Sequence, residues 1–282
     1  MTTATALATV QPSLCDLFSD GRRIRNDISN EVYHADRSAV SVSGLKQILR
    51  SPAHFRAFLD GQRKETPAML FGTAIHTRLL EPDVFASEYV VAPAGDKRTT
   101  EWKEFQIANA NKKILTIDQV ATLEGMERSA HSHRSLFSLL RAGLKEHTII
   151  WQDKITGIWL KIRPDCLCPD GICLDIKSTE DASPAEFGRS CVNFDYDLQS
   201  AVYLDGLREV FGRDFDFAFG ALEKSEPFGA ALYGAPEEML LRGQRRFRQA
   251  LTTLKHCRDT GQWPSYQPLG DYELLEWPRW AA

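Results

Sequence analysis

WLKIRPDCLCPDGICLDIKST, residues 159–179, holds two strand-like apolar runs separated by the turn residues Pro169, Asp170 and Gly171. Asp165 closes the first run. In the second, Asp175 stands two residues before Lys177, so alternation places both side chains on one face of a strand. Ile172, Leu174 and Ile176 surround Asp175, which makes the strand apolar enough to be largely buried. A buried acid needs a partner. If the two runs are neighbours in a sheet, two carboxylates and an ammonium converge at its edge. Carboxylates that close repel, and ionising both is costly unless a divalent cation lies between them. Their oxygens suit Mg²⁺ or Mn²⁺, ions that keep waters and bind phosphates. A lysine alongside would orient or deprotonate a water, or steady the charge of a phosphoryl transition state. The competing reading of Asp175 and Lys177 is a surface pair that contributes little.

Outward from this stretch, HTIIWQD (147–153) and GIWLKIRP (157–164) read as strands joined in a hairpin around KITG, with GICLDIKS (171–178) as the next strand. Upstream, helical spacing dominates. Residues 41–61 predict two short helices, with Ser43 capping the first and Pro52 opening the second. Residues 66–82 predict a helix headed by Pro67, and 116–143 one long helix from a Thr116 cap to a Gly143 stop. Downstream come a helix over about 195–210, strands at FDFAFGALEKS and FGAALYG, and a last helix over about 236–259. Helices, strands, helix, strands and helix predict an α/β (α+β) domain around a central mixed sheet flanked by helices. Residues 1–28 are polar, small and aperiodic, which predicts a loose N-terminal arm ahead of one domain over 29–282.

The chain has 282 residues and a net charge of −4, so DNA or RNA contact must rest on local basic patches or on metal neutralising local acids. No apolar run approaches the roughly 20 residues of a membrane span. The start, MTTATALATVQPSLCD, lacks a basic region followed by an apolar one, so a cytoplasmic location is the expectation. Cys166, Cys168 and Cys173 crowd the candidate sheet without a CxxC pair, which favours packed thiols over a metal site. Of the cations, RGQRRFRQ (242–249) reads as a solvated helix face, while Lys97 and Arg98 in APAGDKRTTEW could reach a substrate backbone; nearby Trp102 is either core or a base-stacking group.

Arg163-Pro164-Asp165 followed by Asp175-Ile176-Lys177 resembles the PD-(D/E)xK nuclease signature. GTAIH (72–76), LLEP with Glu81, and Gln199 and Tyr203 in QSAVY are similar to the branch related to the RecB nuclease domain. The run from Trp159 to Gly212 resembles the C-terminal nuclease domain of the exodeoxyribonuclease VIII family, and the likeness spans about residues 40–265. The resemblance implies Asp165, Asp175, His76 and the Ile176 carbonyl as ligands of Mg²⁺ or Mn²⁺, and Lys177 as the group positioning the attacking water. It implies Gln199 and Tyr203 near the substrate phosphate, and it puts Glu146 where relatives carry a further acid. Each has a plain alternative: a packed core histidine at position 76, a buried amide at 199 and a phenol at 203, and a helix-end surface acid at 81.

The family implies 5′-to-3′ digestion of one strand of linear duplex DNA, leaving a 3′ single strand for an annealing protein in phage-type recombination. It also implies a ring-shaped homo-oligomer. The rival readings are a Cas4-like nuclease with an iron–sulfur cluster, an endonuclease, and a catalytically inactive DNA-binding scaffold.

Overall fold

The computed structural model describes residues 13–21, 23–61, 66–95, 98–267, 272 and 274–277. Its first part holds α1 (Leu14–Leu17), β1 (Ile24–Arg25), α2 (Asn30–Ala35), α3 (Val42–Arg50), α4 (Pro52–Asp60), α5 (Pro67–Leu80) and α6 (Pro82–Glu88). Next come β2 (Tyr89–Val91), α7 (Thr100–Ala108), β3 (Lys113–Leu115), α8 (Ile117–Ser132) and α9 (Arg134–Ala142). The strand-rich centre comprises β4 (Leu144–Lys145), β5 (Thr148–Gln152), β6 (Trp159–Ile162), β7 (Cys166–Leu167) and β8 (Ile172–Thr179). α10 (Pro184–Asn193), α11 (Tyr196–Phe211), β9 (Asp216–Glu223), β10 (Ala230–Gly234) and α12 (Glu237–Thr260) complete the order.

β8 is the pivot of a mixed sheet ordered β10-β9-β8-β7-β4, parallel to β9 along its whole length and antiparallel to β7. Helices cover both faces, which is why the strand is apolar on both. Leu174 and Ile176 pack with Ile75, Leu123, Met126 and Leu136 of α5, α8 and α9. Burial of each of these two strand side chains contributes about 1.5–3 kcal/mol. Cys173 belongs to the opposite layer, with Leu198 and Val202 of α11 and Phe247 and Leu251 of α12. Alternation therefore turns Asp175 and Lys177 toward α11.

The three runs expected to follow one another in a single sheet divide between two. β5 and β6 form the predicted hairpin, but in an antiparallel sheet ordered β1-β5-β6. The chain leaves that sheet through Arg163 and Pro164 and re-enters the larger one as β7, whose Cys166 pairs with Leu174. Asp165 sits at this crossing, so the two aspartates still meet.

Three local expectations are corrected. Ser41, not Ser43, caps α3 by accepting from the Gly44 N–H. The helix expected over 116–143 is two, because the His133 ring takes the role of a capping side chain and its Nδ1 accepts from the Leu136 N–H at 3.2 Å. Residues 13–21 and 23–28 are not loose: Leu14, Phe18 and Ile28 are buried, and Ile24 pairs with Ile149. Lys161 on β6 and Arg163 just after it fix this segment and the helix that follows. Lys161 Nζ donates to the Tyr33 and Asp36 carbonyls, while Arg163 donates to the Ile28 carbonyl, Asn30 Oδ1 and Thr148 Oγ1. Residues 1–12 lie outside the described part.

Candidate functional site

Four elements deliver the site. β8 brings Asp175, Ile176 and Lys177; the crossing after β6 brings Asp165; α5 brings His76; and the corner between β4 and β5 brings Glu146. His76 Nδ1 lies 3.2 Å from Asp165 Oδ1, and the Ile176 N–H donates to Asp165 Oδ2 at 2.5 Å. One ligand atom each from His76, Glu146 and Asp165 can be chosen so that all three lie within 4.8 Å of one another. Glu146 reaches this cluster from a left-handed backbone conformation, φ 53, a strained state for a residue with a side chain.

Asp175 is 2% exposed. Its Oδ1 accepts from Gln199 Nε2 at 2.5 Å, and its Oδ2 lies 2.6 Å from Lys177 Nζ at an angle that gives no aligned hydrogen bond. Lys177 Nζ in turn stands 4.6 Å from the centre of the Tyr196 ring.

The charges are mutually adjusted. Burial disfavours an imidazolium at His76, but Asp165 beside it outweighs burial and raises its pKa to about 9. Burial, with repulsion from Asp165, pushes the Glu146 carboxyl up to about 8. Burial opposes charge on Asp165 as well, yet His76 and the Ile176 N–H hold its pKa below the usual carboxylate value. Asp175 is raised by burial and by Asp165. Lys177 stays an ammonium because Asp175 overrides its burial.

The site thus keeps protons on His76 and Glu146 where a cation would otherwise neutralise three carboxylates. One imidazole and three carboxylates, one with a buried oxygen lacking an aligned hydrogen bond, form a donor set that fits a hard divalent cation. Ile176 enters the cluster through its N–H; its carbonyl is adjacent in sequence to both Asp175 and Lys177.

Other predicted site residues fall differently. Gln199 faces Asp175 rather than open solvent, and Tyr203 is buried, donating to the Arg163 carbonyl at 3.2 Å. Gln199 therefore holds Asp175 directly, while Tyr203 holds the backbone two residues before Asp165. His76 is no core histidine: 26% of its side chain is open, although Ala74, Ile75 and Leu79 around it are buried. Glu81 ends α5 and begins α6, half-buried. Arg98 is exposed just ahead of α7, and Lys97 lies outside the described residues. Trp102 is core. The arginine run on α12 is not a plain solvated face: Arg242 and Arg246 pair with Asp197, Arg246 also with Asp195, and Arg248 with Asp153. Tyr196 and Arg163 went unnoticed as site-building groups. An aromatic three residues before Gln199, and a cation directly after the buried strand β6 and two residues before Asp165, were the available signals. All six cysteines are free, and Cys166 and Cys168 both turn their sulfurs toward the Leu139 carbonyl.

Residues 41–274 match a family described as a PDDEXK-like domain of unknown function (DUF3799). The chain belongs to this family. The PDDEXK-like fold is also that of a protein from Eubacterium rectale described as a candidate exonuclease. Its crystal structure shares 15% identity with the chain, covers 90% of it and 96% of its own length, and superposes with a TM-score of 0.60. A phage-related exonuclease from Haemophilus somnus 129PT aligns over 79% of the chain and 96% of its own length at 14% identity, with a TM-score of 0.32. No curated protein matches. Among the described residues, no helix of this PDDEXK-like chain is long and apolar enough to cross a membrane.

Proposed function

We propose that this PDDEXK-like protein is a divalent-metal-dependent exodeoxyribonuclease acting on the ends of linear duplex DNA in the cytoplasm. The observation that carries the reading is the convergence of His76, Glu146 and Asp165 with the Asp175–Lys177 pair, from four separate elements, on one oxygen-rich point. His76, Glu146, Asp165, Asp175 and the Ile176 carbonyl would hold Mg²⁺ or Mn²⁺. When bound, the cation supplies positive charge to a phosphodiester and lowers the pKa of water. Gln199 fixes the orientation of Asp175, and the Ile176 N–H fixes that of Asp165. Lys177 keeps its charge beside them, placed to stabilise the negative charge that grows on the phosphoryl oxygens in the transition state.

Resemblance to the exodeoxyribonuclease VIII family supports the finer reading. The 5′ strand is degraded, a 3′ single strand is left for an annealing protein in phage-type recombination, and the enzyme works as a ring of identical subunits. The test is a linear duplex labelled separately at its 5′ and 3′ ends, with a covalently closed circle as control, in Mg²⁺ and in EDTA. Release of the 5′ label alone, from linear DNA alone and only with Mg²⁺, is expected. Cleavage of the circle would make the protein an endonuclease, and no cleavage of either substrate would leave a binding scaffold.

A further inference from the structure

The end of α10 and the turn into α11 lift two apolar side chains into solvent, Val192 of α10 and Phe194 of the turn, which are 56% and 58% exposed. This turn is built. Lys46 of α3 donates to the Phe194 carbonyl. Asp195 next to it is left-handed, φ 55, and its Oδ1 accepts from Arg246 Nη2 at 2.6 Å, while Nη1 of the same guanidinium reaches Asp197 Oδ1 at 2.8 Å. A strained non-glycine conformation persists where its surroundings over-determine it, and such residues cluster at functional sites. The Phe194 ring stacks on Tyr196, with 5.8 Å between centroids and 29° between planes, and Tyr196 is the ring facing the Lys177 ammonium. The exposed ring is therefore one ring removed from the hydrolytic lysine, on a turn clamped from two sides.

We propose that Phe194 is a base-stacking residue for the substrate strand, receiving the nucleobase next to the phosphate held at Lys177. The proposal rests on the reading of the site as a DNA hydrolase. Asp175 is almost fully buried and only 16% of the Lys177 side chain is open, so a terminal nucleotide frayed from the duplex end fits these recessed groups better than a paired one. An aromatic face at the mouth returns the lost stacking energy without regard to sequence, as a nuclease digesting any end requires.

The test uses linear duplexes with a single abasic residue at the first, second or third nucleotide of the attacked strand. In the wild type, one of these positions should raise KM about tenfold, the loss of one base–aromatic stack. Phe194→Ala should raise KM by a similar factor on intact DNA and show no further rise at that position, whereas Phe194→Trp should keep the wild-type value. A wild type indifferent to all three abasic positions overturns the proposal, and so do abasic and alanine effects that multiply. An unchanged KM with an altered oligomeric mass in Phe194→Ala overturns it too, assigning the ring to a contact between copies. If Phe194→Ala does not fold, the wild-type abasic series and the tryptophan variant still decide.

Quenching of 2-aminopurine at the attacked end, measured in Ca²⁺, reads stacking without turnover. Quenching by an inactive wild type would sink the hydrolase reading and not the stack. Full activity without quenching would sink the stack alone.

Discussion

At the scale of single residues, the motif was legible because Asp175 and Lys177 interrupt a strand whose other side chains are apolar. Physical chemistry then requires a partner for the acid. His76 was legible only through family likeness, since a histidine among Phe71, Ile75 and Leu79 resembles core packing; the structure shows its Nδ1 against Asp165. His76→Gln should therefore melt within a few degrees of the wild type in EDTA, yet lose most of its rate per folded molecule and its Mn²⁺ affinity. A badly destabilised, active variant would return the residue to the core. Lys177→Arg should rescue poorly, because the compact ammonium fits between Asp175 and Tyr196 and a planar guanidinium does not; the check is single-turnover rate at saturating DNA. Acidity gives a further prediction. His76 and Glu146 have folded pKa values, about 9 and about 8, above their ordinary 6.5 and 4.5, so the metal-free native state binds more protons than the unfolded one. Through these two groups stability should fall as pH rises from about 4.5 to 8; above that, Lys161, whose pKa burial lowers to about 8, gives the opposite slope. Cation binding requires those protons to leave, so Mg²⁺ should raise the melting temperature more at pH 8.5 than at pH 5.5. A metal-free protein that gains stability across this range would contradict the assigned charges.

At the scale of elements, the five longest strands and the helices α3, α4, α5, α11 and α12 followed from periodicity, while the short strands β1–β4 and β7 and the helices α1, α2, α6, α7 and α10 carried too little pattern to be read. His133 ends one helix and starts the next through a side-chain acceptor that serine or aspartate usually supplies, so the break carried no familiar signal. Which sheet a strand joins depends on partners distant in sequence, and the short apolar run of β6 is compatible with either. The packing of α12 on α11 shows how tightly elements hold the site. A Cβ at Gly243 would stand 1.9 Å from the Asp197 carbonyl oxygen. Gly243→Ala must therefore push α12 away from the start of α11, where it clamps Asp195 and Asp197 through Arg246. Overpacking of this kind costs about 1–3 kcal/mol, and activity should fall beyond the folded fraction because the start of α11, which carries Tyr196, moves. Denaturant unfolding paired with rate per folded molecule tests this. Wild-type activity in the folded fraction would show that the clamp is structural only.

At the scale of the whole molecule, Lys161, Arg163 and three arginines of α12 are committed to acids or carbonyls of the same chain. Lys161 and Arg163 anchor residues 28–36, more than 120 positions away in sequence, a pairing no local pattern reveals. Arg242, Arg246 and Arg248 are paired across helices. A chain of net charge −4, with three carboxylates at its centre, therefore offers a phosphate backbone little attraction until a cation enters the site. Affinity for DNA should depend on metal as much as turnover does. In EDTA at physiological salt, a fluorescently labelled linear duplex should bind weakly, with a shallow dependence on salt concentration, since few counterions are released. Ca²⁺, which fits oxygen donors, should tighten binding by lowering the repulsion at the acid cluster, and Asp165→Ala should lose that gain while keeping the weak metal-free binding. Anisotropy titrations in EDTA and Ca²⁺ at several salt concentrations measure all three quantities. Equal affinity with and without Ca²⁺ would mean that DNA passes the protein on a surface away from His76, Glu146 and Asp165.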